Sequence, residues 1–332
     1  MKRTGFLFDS FTSFENLYIA YKKAMKGCAK TEEVLKFSYF IEKELFALQK
    51  ELIELTYSPA PYRYFKIFDP KERTIAVATF CDRVVHHAII NIIEPLFEPT
   101  FIYHSYATRK EKGTHKAIQQ AQKFLSQNEW FLKLDISKYF DSINHNILKE
   151  QIRKKIKDAK FLSIIDKIID NGGQEVVGLP IGNLTSQFLA NVYLGAFDHY
   201  ILEKCTVKNY IRYMDDFVLF DNDKTKLKLL NKHIHCYLQE NLHLNIKPAS
   251  VCLNSRAAGL SFLGARIYPS LLRIGSKNLK RVRSRLNQRK YEFEKNKITE
   301  KQYTDSLNSI TAHIKFFDSY HLRRQMFHGQ LS

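Results

Sequence analysis

Apolar residues recur along the chain at two spacings, which predict a mixture of helices and short strands. Positions three or four residues apart are apolar over 32–55, which predicts one long amphipathic helix. The same spacing predicts helices at 14–25, 84–96, 114–126, 146–155, 159–170, 182–202, 225–241, 277–295 and 299–320. Runs rich in β-branched and aromatic residues predict strands at 62–68, 73–79, 130–134, 209–214, 217–220, 251–253 and 260–267.

Two of these elements place acidic residues at strand ends. The apolar strand 130–134 ends at Asp135, and Asp215-Asp216 separates the strands 209–214 and 217–220 as a two-residue hairpin turn would. Strand ends and hairpin tips meet at one edge of a central sheet, so two such elements side by side would bring three carboxylates together. An isolated Asp-Asp pair is more often a simple polar turn, so this interpretation depends on the surrounding motifs.

A cluster of three carboxylates is costly on its own, because like charges repel in a partly desolvated site. Divalent cations offset that cost. Oxygen ligands suit Mg²⁺, which binds one or two carboxylates together with substrate phosphates. Two such ions about 3.5–4 Å apart stabilise both the attacking and the leaving oxygen in phosphoryl transfer. The pattern therefore favours metal-dependent chemistry on phosphate groups.

The chain carries a strong basic excess, with 52 Lys and Arg against 34 Asp and Glu in 332 residues, a formal net charge of +18. An excess of this size indicates a polyanionic partner. Because no apolar run of about 18 residues is present to span a bilayer, nucleic acid is favoured over a membrane. The stretch 273–301 alone holds eleven basic and three acidic residues, a charge of +8.

Cysteine usage favours a reducing compartment. The five cysteines are Cys28, Cys81, Cys205, Cys236 and Cys252. Their number is odd, they are widely spaced, and no Cys-x-x-Cys pair occurs, which argues against a disulfide framework or a zinc site. The basic first residues lack a sustained apolar core, so no secretion signal is expected. These features together predict a cytoplasmic protein.

Several motifs resemble those of reverse transcriptases and occur in that family's order. Residues 213–216, Tyr-Met-Asp-Asp, resemble the Tyr-x-Asp-Asp box, and residues 134–140 resemble the first catalytic-aspartate motif. Residues 179–187 are similar to the template-contacting motif. Further stretches resemble the fingers motifs at 73–77, 82–87 and 106–115, the palm lysine motif at 244–247 and the primer-grip region at 262–264. The motifs together cover about residues 60 to 265.

The resemblance implies an α+β right-hand polymerase with an antiparallel palm sheet flanked by helices. N-terminal helices and fingers would occupy 1–130, the palm with its catalytic carboxylates 131–265, and a basic helical thumb 266–332. The implied activity is RNA-directed DNA polymerisation by a nucleotidyltransferase that uses two Mg²⁺ ions, with Mn²⁺ as an alternative. The implied partners are template RNA, the RNA/cDNA duplex and dNTPs, in a bacterial cytoplasm or as a phage-encoded protein, with no membrane.

The finer resemblance is to the reverse transcriptases of diversity-generating retroelements, within the group II intron-like family. Most reverse transcriptases carry Gln-Gly-x-x-x-Ser-Pro in the template-contacting motif, whereas this chain has Ile181-Gly182 and Ser186-Gln187 at those positions. This variant implies copying of a template-repeat RNA into cDNA for retroelement-driven protein diversification (mutagenic retrohoming), error-prone at template adenines. The implied protein partner is a small, basic, oligomeric accessory-variability protein.

The resemblance also assigns roles to individual residues. Asp135 and Asp215 are the implied direct metal ligands, with the carbonyl of Ile136, and Asp216 is either a ligand or a supporting carboxylate. Lys247 is the implied proton donor to pyrophosphate. The implied dNTP-binding residues are Arg73, Lys71, Phe140 (an aromatic gate that excludes a 2′-OH), Ile181 and Gly182. The implied template- or primer-binding residues are Gln187, Ser186, Phe262, Leu263, Gly264, Lys277, Arg281 and Arg285.

Other interpretations are compatible with many of the same residues. A retron-like or free-standing intron-derived reverse transcriptase of ordinary fidelity would share most motifs, although Ile181 and Gln187 argue against it. A catalytically silent RNA-binding scaffold on the same fold would not need the three intact aspartates. A viral RNA polymerase is disfavoured by Phe140 at the gate position, and a metal nuclease is disfavoured by the polymerase order of the carboxylates.

Overall fold

A computed structural model describes residues 3–68, 72–172 and 176–327. The helices are α1 (Phe8–Thr12), α2 (Phe14–Met25), α3 (Glu32–Tyr39), α4 (Ile41–Ile53), α5 (Phe80–Phe97), α6 (Thr114–Gln127), α7 (Tyr139–Ser142), α8 (His145–Arg153), α9 (Ala159–Asp170), α10 (Leu184–Tyr193), α11 (Gly195–His199), α12 (Lys224–Leu242), α13 (Ser276–Glu294), α14 (Glu300–Lys315) and α15 (Tyr320–Phe327). The strands are β1 (Arg63–Ile67), β2 (Arg73–Val77), β3 (Trp130–Asp135), β4 (Asn209–Tyr213), β5 (Asp216–Asp221), β6 (Cys252–Ser255), β7 (Leu260–Phe262), β8 (Ala265–Ile267) and β9 (Leu272–Ile274).

The strands form antiparallel sheets, and the helices lie around them. A hairpin of β1 and β2 stands apart from the central sheet, whose strand order is β4-β5-β3-β6. A smaller sheet has the order β7-β8-β9. In the central sheet β3 pairs with β5 over its whole length, from Trp130 opposite Asp221 to Asp135 opposite Asp216. The predicted α+β fold, an antiparallel sheet flanked by helices, is confirmed.

The central sheet is buried on both faces, which explains why its strands read as continuous apolar runs. Leu132 and Leu219 belong to the larger hydrophobic core, to which α2, α5, α9, α10 and α12 also contribute. Phe131 and Val218, which alternate with them along the strands, join a second core with α6 and the β7-β8-β9 sheet. The sheet edge that bears the acidic residues is therefore fixed from both sides.

The predicted single helix over 32–55 is wrong, because the chain forms α3 and α4 with a break between them. The backbone of Phe40 (φ −111°, ψ 32°) leaves the helical region. Serine and aromatic residues are weak helix formers, and residues 37–40 consist only of these. Leu35, one of the apolar positions of the predicted helix, is 57% exposed, whereas Val34 and Phe37 are buried.

The predicted helix over 182–202 begins later and is interrupted. Gly182 has φ +114°, a left-handed conformation that a helix cannot include, so α10 begins at Leu184. Leu194 separates α10 from α11, and the chain ends this region in a wider π-helical turn at Tyr200–Lys204. The predicted single strand over 260–267 is wrong, because the chain forms β7 and β8 there, an antiparallel pair with a turn at 263–264. Apart from the helix predicted over 299–320, the other predicted elements occur within a few residues of their predicted bounds.

The turn between β4 and β5 lies one residue earlier than predicted. Tyr213 pairs with Asp216, so Met214 and Asp215 form the two-residue turn. Met214 has φ +54°, which agrees with the positive φ that tight hairpin turns need at their first central residue. Asp216 is therefore the first residue of β5 and not part of the turn.

The last helices return to the sheets. The predicted helix over 299–320 ends at Lys315, and α15 begins at Tyr320. Between them, the carboxylate of Asp318 accepts a 2.6 Å hydrogen bond from the amide of Leu272 in β9, and the amide of Asp318 donates to the Leu272 carbonyl at 2.8 Å. Phe317 is buried in the second core. Among the described helices, none has the length and apolar character needed to cross a membrane.

Candidate active site

Three carboxylates lie at one end of the central sheet. Asp135 is the last residue of β3 and stands opposite Asp216, the first residue of β5. Asp215 occupies the hairpin turn, and its carbonyl oxygen accepts a 3.2 Å hydrogen bond from the amide of Ile136. The structure therefore brings together acidic residues that are far apart in the sequence.

Burial and mutual repulsion raise the pKa values of two of these carboxylates. The pKa of Asp215 is raised to about 6, chiefly by burial and then by the nearby carboxylate of Asp135. The pKa of Asp216 is raised to about 7, again chiefly by burial and against the lowering effect of Lys133. The ionised forms of these carboxylates are therefore disfavoured, and a bound cation would stabilise them.

Asp216 differs from the other two carboxylates because a lysine holds it. The Nζ atom of Lys133 lies 3.2 Å from Oδ2 of Asp216. Lys133 precedes Asp135 by two positions on β3, so both side chains stand on the same face of the sheet. Lys133 is not part of the motifs named above, although a lysine inside an otherwise apolar strand indicates a residue with a buried partner. Asp216 is thus better suited to support the site than to bind an ion through both oxygens.

The donor set at this edge fits Mg²⁺. The Oδ1 atom of Asp216 is buried and has no hydrogen-bond partner within the described part of the chain, which is the kind of acceptor that a nearby cation satisfies. Across residues 3–68, 72–172 and 176–327, no three His, Cys, Asp or Glu side chains converge on one point that could hold an ion. Mg²⁺ commonly binds one or two carboxylates together with substrate phosphates, so a site with fewer than three converging side chains is compatible with it.

Lys247 lies beside Asp135. Its amide donates a 2.9 Å hydrogen bond to the carbonyl oxygen of Asp135, and the hydroxyl of Ser250 donates to the same oxygen at 3.2 Å. The next residue, Ile136, pairs with Ile246 in a short antiparallel bridge. Hydrogen bonds to the backbone of Asp135 therefore join the segment that carries Lys247 to the end of β3.

The β1–β2 hairpin is attached next to the carboxylates. The amide of Ala76 donates to the carbonyl of Ile181 at 2.8 Å, and Nδ2 of Asn183 donates to the carbonyl of Ala76 at 3.2 Å. After burial and Asp135, the guanidinium of Arg73 is among the influences on the pKa of Asp215, which it lowers. Arg73 therefore lies near the carboxylates, and the other predicted triphosphate contact, Lys71, lies outside the described residues.

Close packing requires a glycine at position 182. The left-handed backbone of Gly182 already favours glycine. A Cβ atom at this position would lie 2.8 Å from Cγ2 of Ile75 and 3.1 Å from the carbonyl oxygen of Ala76. The glycine thus lets the turn before α10 pack directly against β2, and the dNTP-binding role of Gly182 stays a prediction.

Phe140 and Ile181, the predicted gate and the variant position of the template-contacting motif, belong to adjoining segments. The amide of Leu179 donates a 2.8 Å hydrogen bond to the carbonyl of Phe140. Phe140 is partly buried against the larger core. Ile181 lines a cavity of about 460 Å³ together with Thr74 and Lys138. Ile181 therefore faces β2 across this cavity, while Phe140 is joined to the same segment through its backbone.

A buried ion pair stabilises the turn between β4 and β5. Arg212 in β4 is fully buried, and its guanidinium bonds both carboxylate oxygens of Asp198, at 2.7 and 2.5 Å. The same guanidinium donates to Oδ1 of Asn191 at 3.0 Å and to the carbonyl of Met214 at 3.2 Å. Since Met214 immediately precedes Asp215, this network positions the turn. An arginine in a buried strand was the sequence signal for it, because a buried charge needs a partner.

The predicted template- and primer-contacting residues divide into buried and surface-facing groups. The side chains of Ser186 and Phe262 are 2% and 1% exposed, so they serve the core, and the expectation that they touch nucleic acid directly is wrong for these side chains. Gln187 is partly exposed. Leu263 and Gly264 have positive φ values of 48° and 79° and form the turn between β7 and β8.

The basic helix α13 lines a wide groove with α14. Arg281 and Arg285 face this groove of about 840 Å³, together with Arg289 and His313. Lys277 is exposed one turn before Arg281, and i, i+4 spacing puts these side chains on one helix face. Arg289 continues the same spacing and extends the predicted basic face, whereas His313 faces the groove from α14 and no local spacing indicates it.

Comparison with known proteins gives one family. Residues 68–267 match the family described as reverse transcriptase (RNA-dependent DNA polymerase). Protein YkfC of Escherichia coli (strain K12) is 28% identical over 280 residues, which cover 70% of this chain and 73% of that protein. The group II intron-encoded protein LtrA of Lactococcus lactis subsp. cremoris is 30% identical over 205 residues, covering 58% of this chain and 33% of LtrA.

Solved structures show the same fold. Apo telomerase from Candida tropicalis superposes with a TM-score of 0.52 at 12% identity, over 70% of this chain and 52% of the telomerase chain. At that identity the similarity concerns the fold alone. The chain thus spans about half the telomerase chain and about a third of LtrA. The similarity therefore covers one domain of those larger proteins and not their remaining parts.

Proposed function

The chain belongs to the reverse transcriptase family, and from that premise we propose that it is an RNA-directed DNA polymerase working by a two-metal-ion mechanism. The observation that carries the proposal is the convergence of Asp135 and Asp215 at one sheet edge. Arg73 adds positive charge near that edge, and the backbone of Lys247 is hydrogen-bonded to Asp135. This is the arrangement that transfer of a nucleotidyl group to a primer terminus requires.

In the proposed mechanism each side chain has a distinct task. Asp135 and Asp215 would hold the Mg²⁺ ions, with the carbonyl of Ile136 as a further oxygen ligand, while Lys133 keeps Asp216 in place. When bound, Mg²⁺ supplies positive charge for the attacking 3′-oxygen and for the leaving pyrophosphate. Lys247 protonates the pyrophosphate as it leaves. The primer 3′-hydroxyl gives up its proton to solvent, and the bond from its oxygen to the α-phosphorus forms as the bond from that phosphorus to the oxygen bridging the α- and β-phosphates breaks, which releases pyrophosphate.

The walls of the site select the nucleotide. Arg73 binds the triphosphate, since its planar fork matches phosphate oxygens, and Lys71 is proposed to assist it. The ring of Phe140 faces the sugar and leaves no space for a 2′-hydroxyl, which favours dNTPs over rNTPs. Gly182 lets the backbone approach β2 closely. Gln187 and the turn at Leu263-Gly264 contact the template and the primer.

The finer proposal is that this enzyme belongs to a diversity-generating retroelement and copies a template-repeat RNA with errors at adenines. Its support is Ile181, which lines a cavity beside the β1–β2 hairpin and has no group to hydrogen-bond a nascent base pair. Gln187 in place of the usual proline adds to that support. The proposed partners are the template RNA and a small, basic, oligomeric accessory protein, in a bacterial cell or as a phage product.

The domain assignment of fingers (1–130), palm (131–265) and thumb (266–332) is part of this proposal. The thumb face of Lys277, Arg281 and Arg285 would grip the backbone of the template–primer duplex. Such contacts are made to phosphates and carry no sequence information. Binding through them weakens steeply with salt.

Primer extension tests the proposed function. The full chain is given an RNA template, a DNA primer, dNTPs and Mg²⁺, beside an Asp215→Asn variant, and the product is sequenced. DNA synthesis that the variant lacks supports the polymerase, and errors concentrated opposite template adenines support the retroelement assignment. An even, low error rate would instead indicate a retron-like enzyme of ordinary fidelity. Absence of synthesis with cognate RNA present would favour an RNA-binding scaffold.

A further inference from the structure

One aromatic ring is held out in solvent by a constrained backbone. Phe6 is 92% exposed, more than any other large apolar side chain in the described residues. Its φ of +57° is left-handed, a conformation that is uncommon for an aromatic residue. Exposure of a single apolar side chain is ordinary, but a bulky residue in the left-handed region needs its surroundings to hold it there.

Hydrogen bonds on both sides of Phe6 supply that hold. Before it, the amide of Thr4 donates to the carbonyl of Lys155 at 2.7 Å, and the amide of Lys157 donates to the carbonyl of Thr4 at 2.9 Å. After it, the carboxylate of Asp158 accepts hydrogen bonds from the amides of residues 7 and 8, at 2.8 and 3.0 Å. The bend that turns the Phe6 ring outward is therefore built by the loop between α8 and α9.

The same loop is strongly basic. Residues 149–160 hold six Lys or Arg and two acidic residues, and one of the two acids, Asp158, is occupied by backbone amides. Lys149 and Arg153 are neutralised by Asp170 and Asp166. The other cations of this loop, together with the nearby Arg3, form what we call the basic corner: Arg3, Lys154, Lys155, Lys157 and Lys160. None of them forms an ion pair with a carboxylate within the described ranges.

Cations of the basic corner lie near the residues that flank the exposed ring. The Lys157 side chain runs along the backbone next to Phe6, since a Cβ on Gly5 would lie 2.8 Å from its Cε atom. The Nζ atom of Lys160 lies 5.5 Å from the centre of the Phe8 ring. Arg3 and Lys154 line a shared groove together with Arg153 and Glu150. A flat exposed ring beside a surface on which cations outnumber carboxylates is the combination that binds unpaired nucleotides, by stacking a base and neutralising phosphates.

We propose that Phe6 and the basic corner form a binding site for single-stranded RNA outside the catalytic cleft. The nucleobase stacks on Phe6, and Lys154, Lys157 and Lys160 contact the flanking phosphates. The site is separated from the segment that bears Ile181, because α8 begins at His145, whose ring contacts the carbonyl of Gly178, and the nine residues of the helix span about 13 Å before the basic loop. The inference rests on the proposed function in one respect, that an RNA template supplies the unpaired strand. An acidic protein segment would use the cations but would not need the ring.

A photochemical cross-link tests the stacking contact. The full chain is irradiated with a single-stranded RNA that carries 5-iodouridine, and the attachment site is mapped by mass spectrometry. The expected cross-link is at Phe6, kept in Phe6→Tyr and lost in Phe6→Ala. Phe6→Ala should also weaken RNA binding about tenfold. Tyr39→Ala, which removes an exposed ring from α3, is the matched control and should change neither result. A map without Phe6 overturns the proposal.

The salt dependence of RNA binding tests the phosphate contacts. Replacing Lys154, Lys157 and Lys160 by Gln should lower the slope of log K against log salt by about 2, at roughly 0.7 per phosphate of a single strand. A matched triple replacement of the exposed Lys208, Lys228 and Lys232 by Gln should leave the slope unchanged. Equal losses in both triple variants would mean that net charge alone is responsible, which contradicts a defined site. Unchanged circular dichroism shows that a variant is folded.

The two proposals fail separately. DNA synthesis on a short template together with no cross-link at Phe6 would remove the RNA site and leave the polymerase. A cross-link at Phe6 without DNA synthesis would remove the polymerase and leave the RNA site. Since Phe6 and the basic corner lie outside the catalytic machinery, the Phe6→Ala and triple-Gln variants should extend a primer on a short template at the wild-type rate.

Discussion

The ammonium nitrogen of Lys133 lies 3.2 Å from a carboxylate oxygen of Asp216, beside the paired aspartates of the candidate active site. Both side chains are about one-fifth exposed, at 22% and 21%, so the pair is partly shielded from water. The pKa of Asp216 is nevertheless raised, because burial outweighs the lysine. The lysine thus stabilises a carboxylate that its surroundings disfavour.

Replacing Lys133 by Met should therefore leave the Asp216 carboxylate without its charged partner. We expect Lys133→Met to lower the free energy of unfolding by about 1–3 kcal/mol, the cost of leaving a buried charged group without its partner. Asp216→Asn should suppress much of this loss, giving a coupling energy of about 0.5–3 kcal/mol in a double-mutant cycle. Urea unfolding of the wild type, the two single variants and the double variant measures this coupling energy. Additive effects of the two replacements would contradict the pairing.

The buried pair of Arg212 and Asp198 should matter more for stability. Removing one partner of a buried ion pair costs about 3–5 kcal/mol, and we expect this from Arg212→Met in urea unfolding. The double variant Arg212→Met/Asp198→Leu should recover much of that stability, because no charge is left unpaired. Its polymerase activity should stay low, since the Met214 carbonyl before Asp215 has lost its donor. A double variant that is stable and fully active would show that this network does not position the turn.

Acid should destabilise the protein partly through His86. The pKa of His86 is lowered to about 3 by burial first and then by His87 and Arg83, whereas an unfolded histidine titrates near 6.5. Above the unfolded value His86 contributes no pH dependence. Below it the unfolded state binds one more proton, so stability falls by about 1.4 kcal/mol per pH unit until the folded pKa is approached.

The variant His86→Leu isolates this effect. Between about pH 6 and pH 4, its free energy of unfolding should fall less steeply than that of the wild type, by about 1.4 kcal/mol per unit. His233→Leu, at an exposed position of α12, is the matched surface replacement. Parallel slopes for the wild type and His86→Leu would be inconsistent with a buried neutral imidazole.

Ile181 gives the sharpest prediction about fidelity. A glutamine side chain could hydrogen-bond near the nascent base pair, which isoleucine cannot do. We expect Ile181→Gln to lower the error frequency opposite template adenines by about 2- to 10-fold, the equivalent of one hydrogen bond of about 0.5–1.5 kcal/mol. Sequencing of cDNA made by each variant measures it, with Ile181→Leu as the apolar control. Equal error frequencies in all three enzymes would separate Ile181 from any role in checking the base pair.

The sequence predicts the catalytic end of the sheet well because strand ends and hairpin tips have strong local signals. The strand ending at Asp135 and the hairpin around Asp215 depend on apolar runs and a tight turn. The one-residue displacement of the turn could not be read from the pattern, since both aspartates suit a turn and only the cross-strand register separates them. The break at Phe40 was missed because apolar spacing continues across it.

The supporting contacts were harder to predict, because they depend on residues brought together only by folding. Lys133 and Arg212 appear in the sequence as single charges in apolar strands, and nothing local names Asp216 or Asp198 as their partners. The burial of Ser186 and Phe262 was likewise invisible, since a motif does not tell whether its side chains face the core. Sequence motifs identify the acidic residues, and the fold supplies the charges that hold them.

Single-turnover incorporation of one dNTP onto a primer annealed to RNA, with Mg²⁺ present, tests the central claim most directly. Wild type, Asp135→Asn and Asp305→Asn are compared, the last removing an exposed carboxylate from α14. The account predicts equal rates for wild type and Asp305→Asn, and a loss of about 10³-fold or more for Asp135→Asn, equivalent to several kcal/mol of lost transition-state stabilisation. Incorporation by Asp135→Asn at the wild-type rate would contradict it.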